Sequence, residues 1–201
     1  QALEHEYPIS AILHDTPREP EGPLVVPGAY QVKLTVGGQT LTRPLKVEMD
    51  PRVKATPAVL AEQLRLATAI VAAIDRDAAA LRRGKALLAA LDSAAGAVRD
   101  DAMAQSIAAM RKQAALLAQG GGEDGPGLAA LNGELARLLE VIERADEPPT
   151  TQAVAGVEEL QRRLDAALAA WDRLITRDLP SLNRRLEGAH LPPVPVEKPE
   201  P

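Results

Sequence analysis

The stretch PGAYQVKLTVGGQTLTRPLKVEMDPRV, Pro27 to Val53, decides how this chain is read, because it is a β-hairpin that runs into a sequence of helical character. Tyr30, Val32, Leu34 and Val36 alternate with Gln31, Lys33 and Thr35, the period-two pattern of a strand with one buried face. Gly37-Gly38 supplies the positive φ values that a two-residue hairpin turn demands. The return strand sets Leu41, Leu45 and Val47 on the same side. Pro44, lacking an N–H, confines that strand to an edge or a bulge. This turn places Leu34 opposite Leu41 and Tyr30 opposite Leu45. Two strands are marginal in water and need a cover for their apolar face. Tyr30, Val32, Leu34, Leu41, Leu45 and Val47 are therefore the candidate interface.

Upstream, YPISAILHDTPREPEGP reads as a short apolar strand, Ile9 to Leu13, followed by a Pro-rich irregular segment. Three strands are all that residues 1–55 yield, whereas an Ig-like or fibronectin-like sandwich needs about seven. Either the helices cover the sheet or the missing strands lie upstream of Gln1. A start at Gln1 in place of Met points the same way, to a piece of a longer protein.

From Thr56 the period changes to that of a helix, with Thr56 as N-cap and Pro57 at the first helical position. Leu60, Leu64, Ala67, Val71, Ile74, Ala78, Leu81, Lys85 and Leu88 follow alternating steps of four and three, the seam of a left-handed bundle. Lys85 interrupts that seam and is expected to snorkel. A second helix begins after Asp100-Asp101 and carries Met103, Ile107, Met110, Ala114 and Leu117; GGGEDGPG, Gly120 to Gly127, ends it. The third carries Leu128, Leu131, Leu135, Leu138 and Ile142. The fourth starts near Thr150 or Thr151, places Val154, Val157, Leu164, Leu168, Trp171, Ile175, Leu182 and Leu186 on one face, and is kinked or restarted at Pro180.

Helices of about 35, 18, 18 and 35 residues, the long ones roughly 50 to 55 Å at the usual rise, predict an α+β, mostly α chain: an antiparallel up-down four-helix bundle, two helices long and two short, preceded by a small antiparallel β segment. In that arrangement the short pair covers only half of the long pair, and the hairpin sits at the uncovered end. The organisation expected is a β segment over 1–55, the end of an Ig-like or fibronectin-like sheet, a helical bundle over 56–191 and a Pro-rich tail over 192–201, which has no means of forming a core.

Composition narrows the function classes. Ala and Leu dominate the apolar residues, Phe is absent, and Tyr7, Tyr30 and Trp171 are the only aromatics, which suits close-packed helices. A formal net charge of −5 argues against a phosphate-tracking surface, so nucleic acid is not an expected partner. No uninterrupted run of 18 apolar residues appears, and membrane insertion is not expected. With no Cys, disulfide and thiolate chemistry are absent.

The residues that could carry chemistry read better as structure. Glu187 and His190 have the Glu-x-x-His spacing of di-iron bundles, but no second copy accompanies them, and Gly188 as helix C-cap would put His190 outside the helix. His5 and His14 lie beside Glu4, Glu6 and Asp15 in a Pro-interrupted segment without a nucleophile, the pattern of a solvated loop. GGGEDGPG lacks the Lys and Ser or Thr of a phosphate loop and reads as a connector. Trp171 falls on the apolar face of the fourth helix, a core position with its N–H expected to reach a partner at the core's edge. No catalytic residue, metal ligand or cofactor is expected.

The hairpin, its exit VEMDPRV, the long Ala/Leu helix and AWDRLITRDLPSLNRRLEGAHLPPV together resemble the C-terminal region of bacterial sialidase-like, sortilin-type β-propeller repeat proteins, a family grouped with the glycosyl hydrolases. The resemblance spans Tyr7 to Val194 and is most specific in the hairpin and the final helix. It implies a parent whose propeller lies elsewhere, with secretion or periplasmic residence implied for that parent. The expected function is a non-catalytic C-terminal accessory module docking onto the rest of its parent or self-associating. The alternative is a helical module that binds a protein or peptide in an apolar groove.

Overall fold

A computed structural model describes residues 22–120 and 127–195 of the chain. Two strands, β1 (Gly28–Val36) and β2 (Gln39–Val47), precede the helices α1 (Pro57–Ala97), α2 (Asp101–Gln119), α3 (Leu128–Glu143) and α4 (Thr151–Arg173). A π-helical turn, Leu174–Asp178, then joins α4 to α5 (Leu179–Gly188). The chain is α+β and mostly helical, as its periodicities predict. The expected strand at Ile9–Leu13, His5, His14 and the centre of the Gly-rich connector lie outside the described residues.

The hairpin has the register its sequence dictates. Gly37 and Gly38 take φ of 57° and 79°, a turn that only residues tolerant of positive φ form cheaply. Leu34 stands opposite Leu41 and Tyr30 opposite Leu45, without a bulge. A two-residue turn makes Val36–Gln39 a hydrogen-bonded pair, so alternate pairs down the ladder, Leu34–Leu41, Val32–Arg43 and Tyr30–Leu45, are also bonded. Pro44 falls on an unbonded pair, where its missing N–H points to the free edge.

α1, α2 and α4 start where a polar side chain satisfies an otherwise orphaned N–H. Thr56 accepts from Val59, Asp100 from Met103 and Thr150 from Ala153. Pro180 does not break the last helix: the backbone widens to one π turn just before it, with the Leu179 N–H reaching the Leu174 carbonyl, and the helix continues as α5.

Cross-helix neighbours reveal three legs, not four. The Gln63 side chain donates to the carbonyls of Ile142 and Ala145 at 3.2 and 2.6 Å, so the end of α3 lies beside the start of α1. Further along α1, Gly84 lies against Ala118, near the end of α2, and Asp92 pairs with Arg111. Both α2 and α3 thus run antiparallel to α1, one after the other. The returning leg is antiparallel to α3, with Arg163 on Glu134 at 2.8 Å, and parallel to α1, with Arg76 on Asp165 at 2.9 Å. It reaches α2 at Arg185 and Ser106. The expected four-helix bundle is therefore corrected to an up-down-up arrangement whose middle leg is interrupted by the Gly-rich connector. Lengths explain it: α1, 41 residues and about 60 Å, is matched by α2 and α3 end to end. The uncovered half of the long pair does not exist.

The buried stripe of α1 only partly follows the seam read in the sequence. Ala67, Ile74 and Ala78 of that seam are buried, together with Gln63, Leu66, Ile70, Ala73, Asp77, Ala80, Gly84, Leu87 and Leu91 on the side next to it. Leu60, Leu64, Val71, Leu81 and Leu88 flank them half-buried, and Lys85 is exposed. By length and composition α1 holds a window apolar enough to cross a bilayer, and its buried residues form part of the bundle core. Trp171 is fully buried in that core, as expected; its indole N–H, expected to find a partner, has none among the described residues.

The tail is corrected as well. Val194 is 2 % exposed and joins the core, its N–H donating to Asn183 Oδ1 at 2.8 Å and its carbonyl accepting from Asn183 Nδ2 at 2.9 Å. A side-chain amide stands in for a neighbouring strand, so even a Pro-rich segment finds its hydrogen bonds here.

Candidate functional site

The surface that stands out is the one the hairpin alternation marks. The face carrying Tyr30, Val32, Leu34, Leu41, Leu45 and Val47 is bare along most of its length: Leu34 is 57 % and Leu41 60 % exposed, while Tyr30 and Val47, at the base, are half-buried. Val36 extends the same face at the tip, and Leu24 and Val25 are exposed just before β1. The opposite face is polar, with Lys33 across from Thr42 and Thr35 bonded to Thr40 at 3.0 Å.

The hairpin is held at its base rather than along its length. Tyr30 Oη donates to the Val26 carbonyl at 2.6 Å, closing the lead-in over the strand, and the Leu24 N–H donates to Glu143 at the end of α3 at 2.7 Å. An open hollow of about 840 Å³ at the hairpin base is lined by Pro27, Tyr30, Leu45, Val47 and Met49. The hairpin thus projects from the end of the bundle where α1 begins and α3 stops.

One charge interrupts the apolar face. Arg43 lies opposite Val32, and among the described residues its guanidinium reaches only the neighbouring Thr42 carbonyl, at 3.1 Å. A buried guanidinium without a counter-charge is costly. Any surface that covers this face must therefore bring an acceptor to Arg43, preferably a carboxylate in bidentate geometry.

The residues weighed for chemistry do not converge. Glu187 and His190 are both exposed, and no group of three or more His, Cys, Asp or Glu side chains arranged for a metal occurs among the described residues. His190 lies outside the helix, as expected, but the cap is Ala189, not Gly188. Among the described residues the buried ionisable group is Asp77, a residue whose charged neighbours in sequence suggest a solvated face. It is 0 % exposed between α1 and α3, and burial pushes its carboxyl up to about 6, with the buried Asn132 side chain offsetting part of the shift. Its buried neighbours along α1, Ala73, Ile74, Ala78 and Ala80, are apolar. Its charged neighbours hid it: Asp75-Arg76-Asp77 reads as one charged patch, and only the three-four spacing from Ile70 and Ala73 to Ala80 and Gly84 singles out its third member.

Comparison with protein-family models, with curated proteins and with solved structures finds no match to this chain.

Proposed function

We propose that this chain is a non-catalytic accessory module whose hairpin docks, through its apolar face, against a neighbouring protein surface. The observation that carries this reading is the bare row Val32, Leu34, Leu41 and Leu45 on a hairpin fixed only at its base. Burying one such side chain contributes about 1.5–3 kcal/mol relative to leaving it in water. A contiguous exposed strip of this kind on an otherwise well-packed chain marks an interaction surface. The chemistry of the partner follows from the face: apolar, with a carboxylate opposite Arg43.

The resemblance of the hairpin and final helix to sialidase-like, sortilin-type propeller proteins supports the remainder of a secreted bacterial parent as that neighbour. That support is from sequence alone. The alternative, a helical groove taking a peptide, finds little in its favour, because the depression between α1 and α4 is bordered by the charged Arg76, Arg83, Asp165 and Asp172.

Binding of the apolar-surface dye anilinonaphthalene sulfonate tests the docking face. The chain should enhance the dye's emission, and the double variant Leu34→Thr, Leu41→Thr should lose most of that signal while keeping its helical circular dichroism. No enhancement, or none lost in the variant, would sink the docking face. Turnover of sialosides or other glycosides by the chain, abolished by Glu187→Gln or His190→Ala, would overturn the non-catalytic reading.

A further inference from the structure

Apart from Tyr30 and Val47 every residue of the two strands is exposed, so among the described residues the angle between hairpin and bundle is set by the two chain segments at the base. The exit from β2, Glu48 to Thr56, contains no glycine and carries Pro51. Its residues Asp50 to Val53 form a β-turn: the Val53 N–H donates to the Asp50 carbonyl at 2.9 Å, and Pro51 stands at the second position, where its fixed φ suits the turn. The Asp50 carboxylate also accepts from the Arg52 N–H at 2.9 Å and from the Arg52 side chain, through Nε at 3.0 Å and through Nη2. One carboxylate thus holds Arg52 by its backbone and by its guanidinium, while Met49 and Val53 on either side are half-buried. On the entry side the Leu24 N–H is held by Glu143 at the end of α3, and the Val26 carbonyl by Tyr30.

We infer that Asp50 and Glu143 are positioning residues which lock the hairpin at one angle to the bundle, Asp50 through Arg52 on the exit and Glu143 through the Leu24 N–H on the entry. An exposed ion pair such as Asp50–Arg52 adds little to global stability. Across a proline turn, however, it restricts the few backbone dihedrals about which the arm would swing. Holding one side alone leaves a pivot about the other; holding both leaves none. A locked arm presents Val32, Leu34, Leu41 and Leu45 in a fixed direction, so that docking does not have to meet the cost of ordering the hairpin against the bundle. The inference rests on the docking reading for its purpose, and on the contacts at the base for its content.

Nitrogen-15 relaxation on the uniformly labelled full chain tests it. Backbone order parameters through β1 and β2 should be about 0.85, the value of a rigid backbone and of the helices. Asp50→Ala alone and Glu143→Ala alone should leave them near that value, because the other side still holds, whereas the double variant should bring them below about 0.6. Cross-strand nuclear Overhauser contacts between β1 and β2, and Trp171 emission, report that the hairpin ladder and the bundle remain folded. Order parameters already below about 0.6 in the parent chain, or still about 0.85 in the double variant, overturn the inference. Full loosening in either single variant overturns it too, since one side alone would then carry the lock. Dye binding should persist in the double variant, whose apolar face is unchanged; its absence from the parent chain would sink the docking reading, while the relaxation result still decides whether the arm is locked.

Discussion

Gly84 lies directly against the indole of Trp171: a Cβ added there would meet Cη2 at 3.4 Å and Cζ3 at 3.7 Å, with the Ala118 Cβ also at 3.7 Å. Three legs of the bundle converge on this point, and the single tryptophan fills the space a side chain on α1 would otherwise take. A methyl at 3.4 Å is in ordinary contact, and Ala is favoured over Gly in a helix interior by about 1 kcal/mol. Gly84→Ala should therefore be neutral or stabilising by up to about 1 kcal/mol. Gly84→Leu has nowhere to place its branches and should cost about 1–3 kcal/mol or more. Urea unfolding followed by Trp171 emission measures both, and a large loss in Gly84→Ala would show that the legs are packed more tightly here than these distances describe.

Asp77 makes stability depend on pH in the direction opposite to most acidic groups. Its carboxyl titrates near 6 in the folded chain, and at about 3.9 when unfolded. The folded state therefore holds the proton more tightly. The sign follows: stability from this group is greatest below about pH 4 and falls as pH rises toward 6, reaching a loss of about 3 kcal/mol at neutrality. The exposed carboxylates of Asp50, Glu62 and Asp92, held below the usual range by Arg52, Arg65 and Arg111, act in the other direction, so the comparison must be with a variant. Asp77→Asn should raise stability at pH 7.5 by about 1–3 kcal/mol and leave it unchanged near pH 4. Equal effects at both pH values would show that the carboxyl is not the titrating group.

The hairpin and the helix starts were legible because each depends on local chemistry: a Gly-Gly turn, a period of two, and Thr or Asp at the caps. The packing of the helices was not, for two physical reasons. The buried stripe of α1 keeps Ala67, Ile74 and Ala78 of the expected seam but also takes in Gln63, Asp77 and Gly84, residues that a hydrophobicity pattern rejects, while Leu60, Leu64 and Leu81 are more apolar and only half-buried. The connector at Gly120 to Gly127 reads as a reversal, yet it lets α3 continue the path of α2 along α1. Helix lengths contained the answer, since α2 and α3 together match α1, but two opposite arrangements fit the same turn signal. The apolar face of the hairpin was readable residue by residue, and the register read from the turn already sets Arg43 opposite Val32.

His190 occupies a backbone conformation usually reserved for glycine, with φ of 59°. It closes α5 in a Schellman motif: the Leu191 N–H donates to the Leu186 carbonyl and the His190 N–H to the Glu187 carbonyl, both at 2.9 Å. The half-buried Leu191 then packs on the core. Since the imidazole is exposed and the left-handed region costs a side-chain-bearing residue roughly 1–2 kcal/mol, His190→Gly should stabilise the chain by about 1 kcal/mol. Thermal unfolding checks this, and a loss of stability on substitution would mean that the imidazole makes a contact worth more than the strain.

Asn183 and Val194 bind each other through two hydrogen bonds, and Val194 is buried while Asn183 is half-exposed. Removing the amide leaves a buried backbone N–H and carbonyl without partners, which costs about 1–3 kcal/mol for each group that water cannot reach. Asn183→Ala should thus free the segment from Leu191 to Pro195 and lower stability by about 2 kcal/mol. Asn183→Asp keeps the acceptor for the Val194 N–H but sets a carboxylate oxygen against the Val194 carbonyl, so it should be no better than Ala at neutral pH and should partly recover as the carboxyl protonates. Amide hydrogen exchange at Val194 distinguishes the cases: slow in the parent chain, fast in both variants at pH 7, and slowed again only in Asn183→Asp as the pH is lowered, with rates corrected for the intrinsic effect of pH.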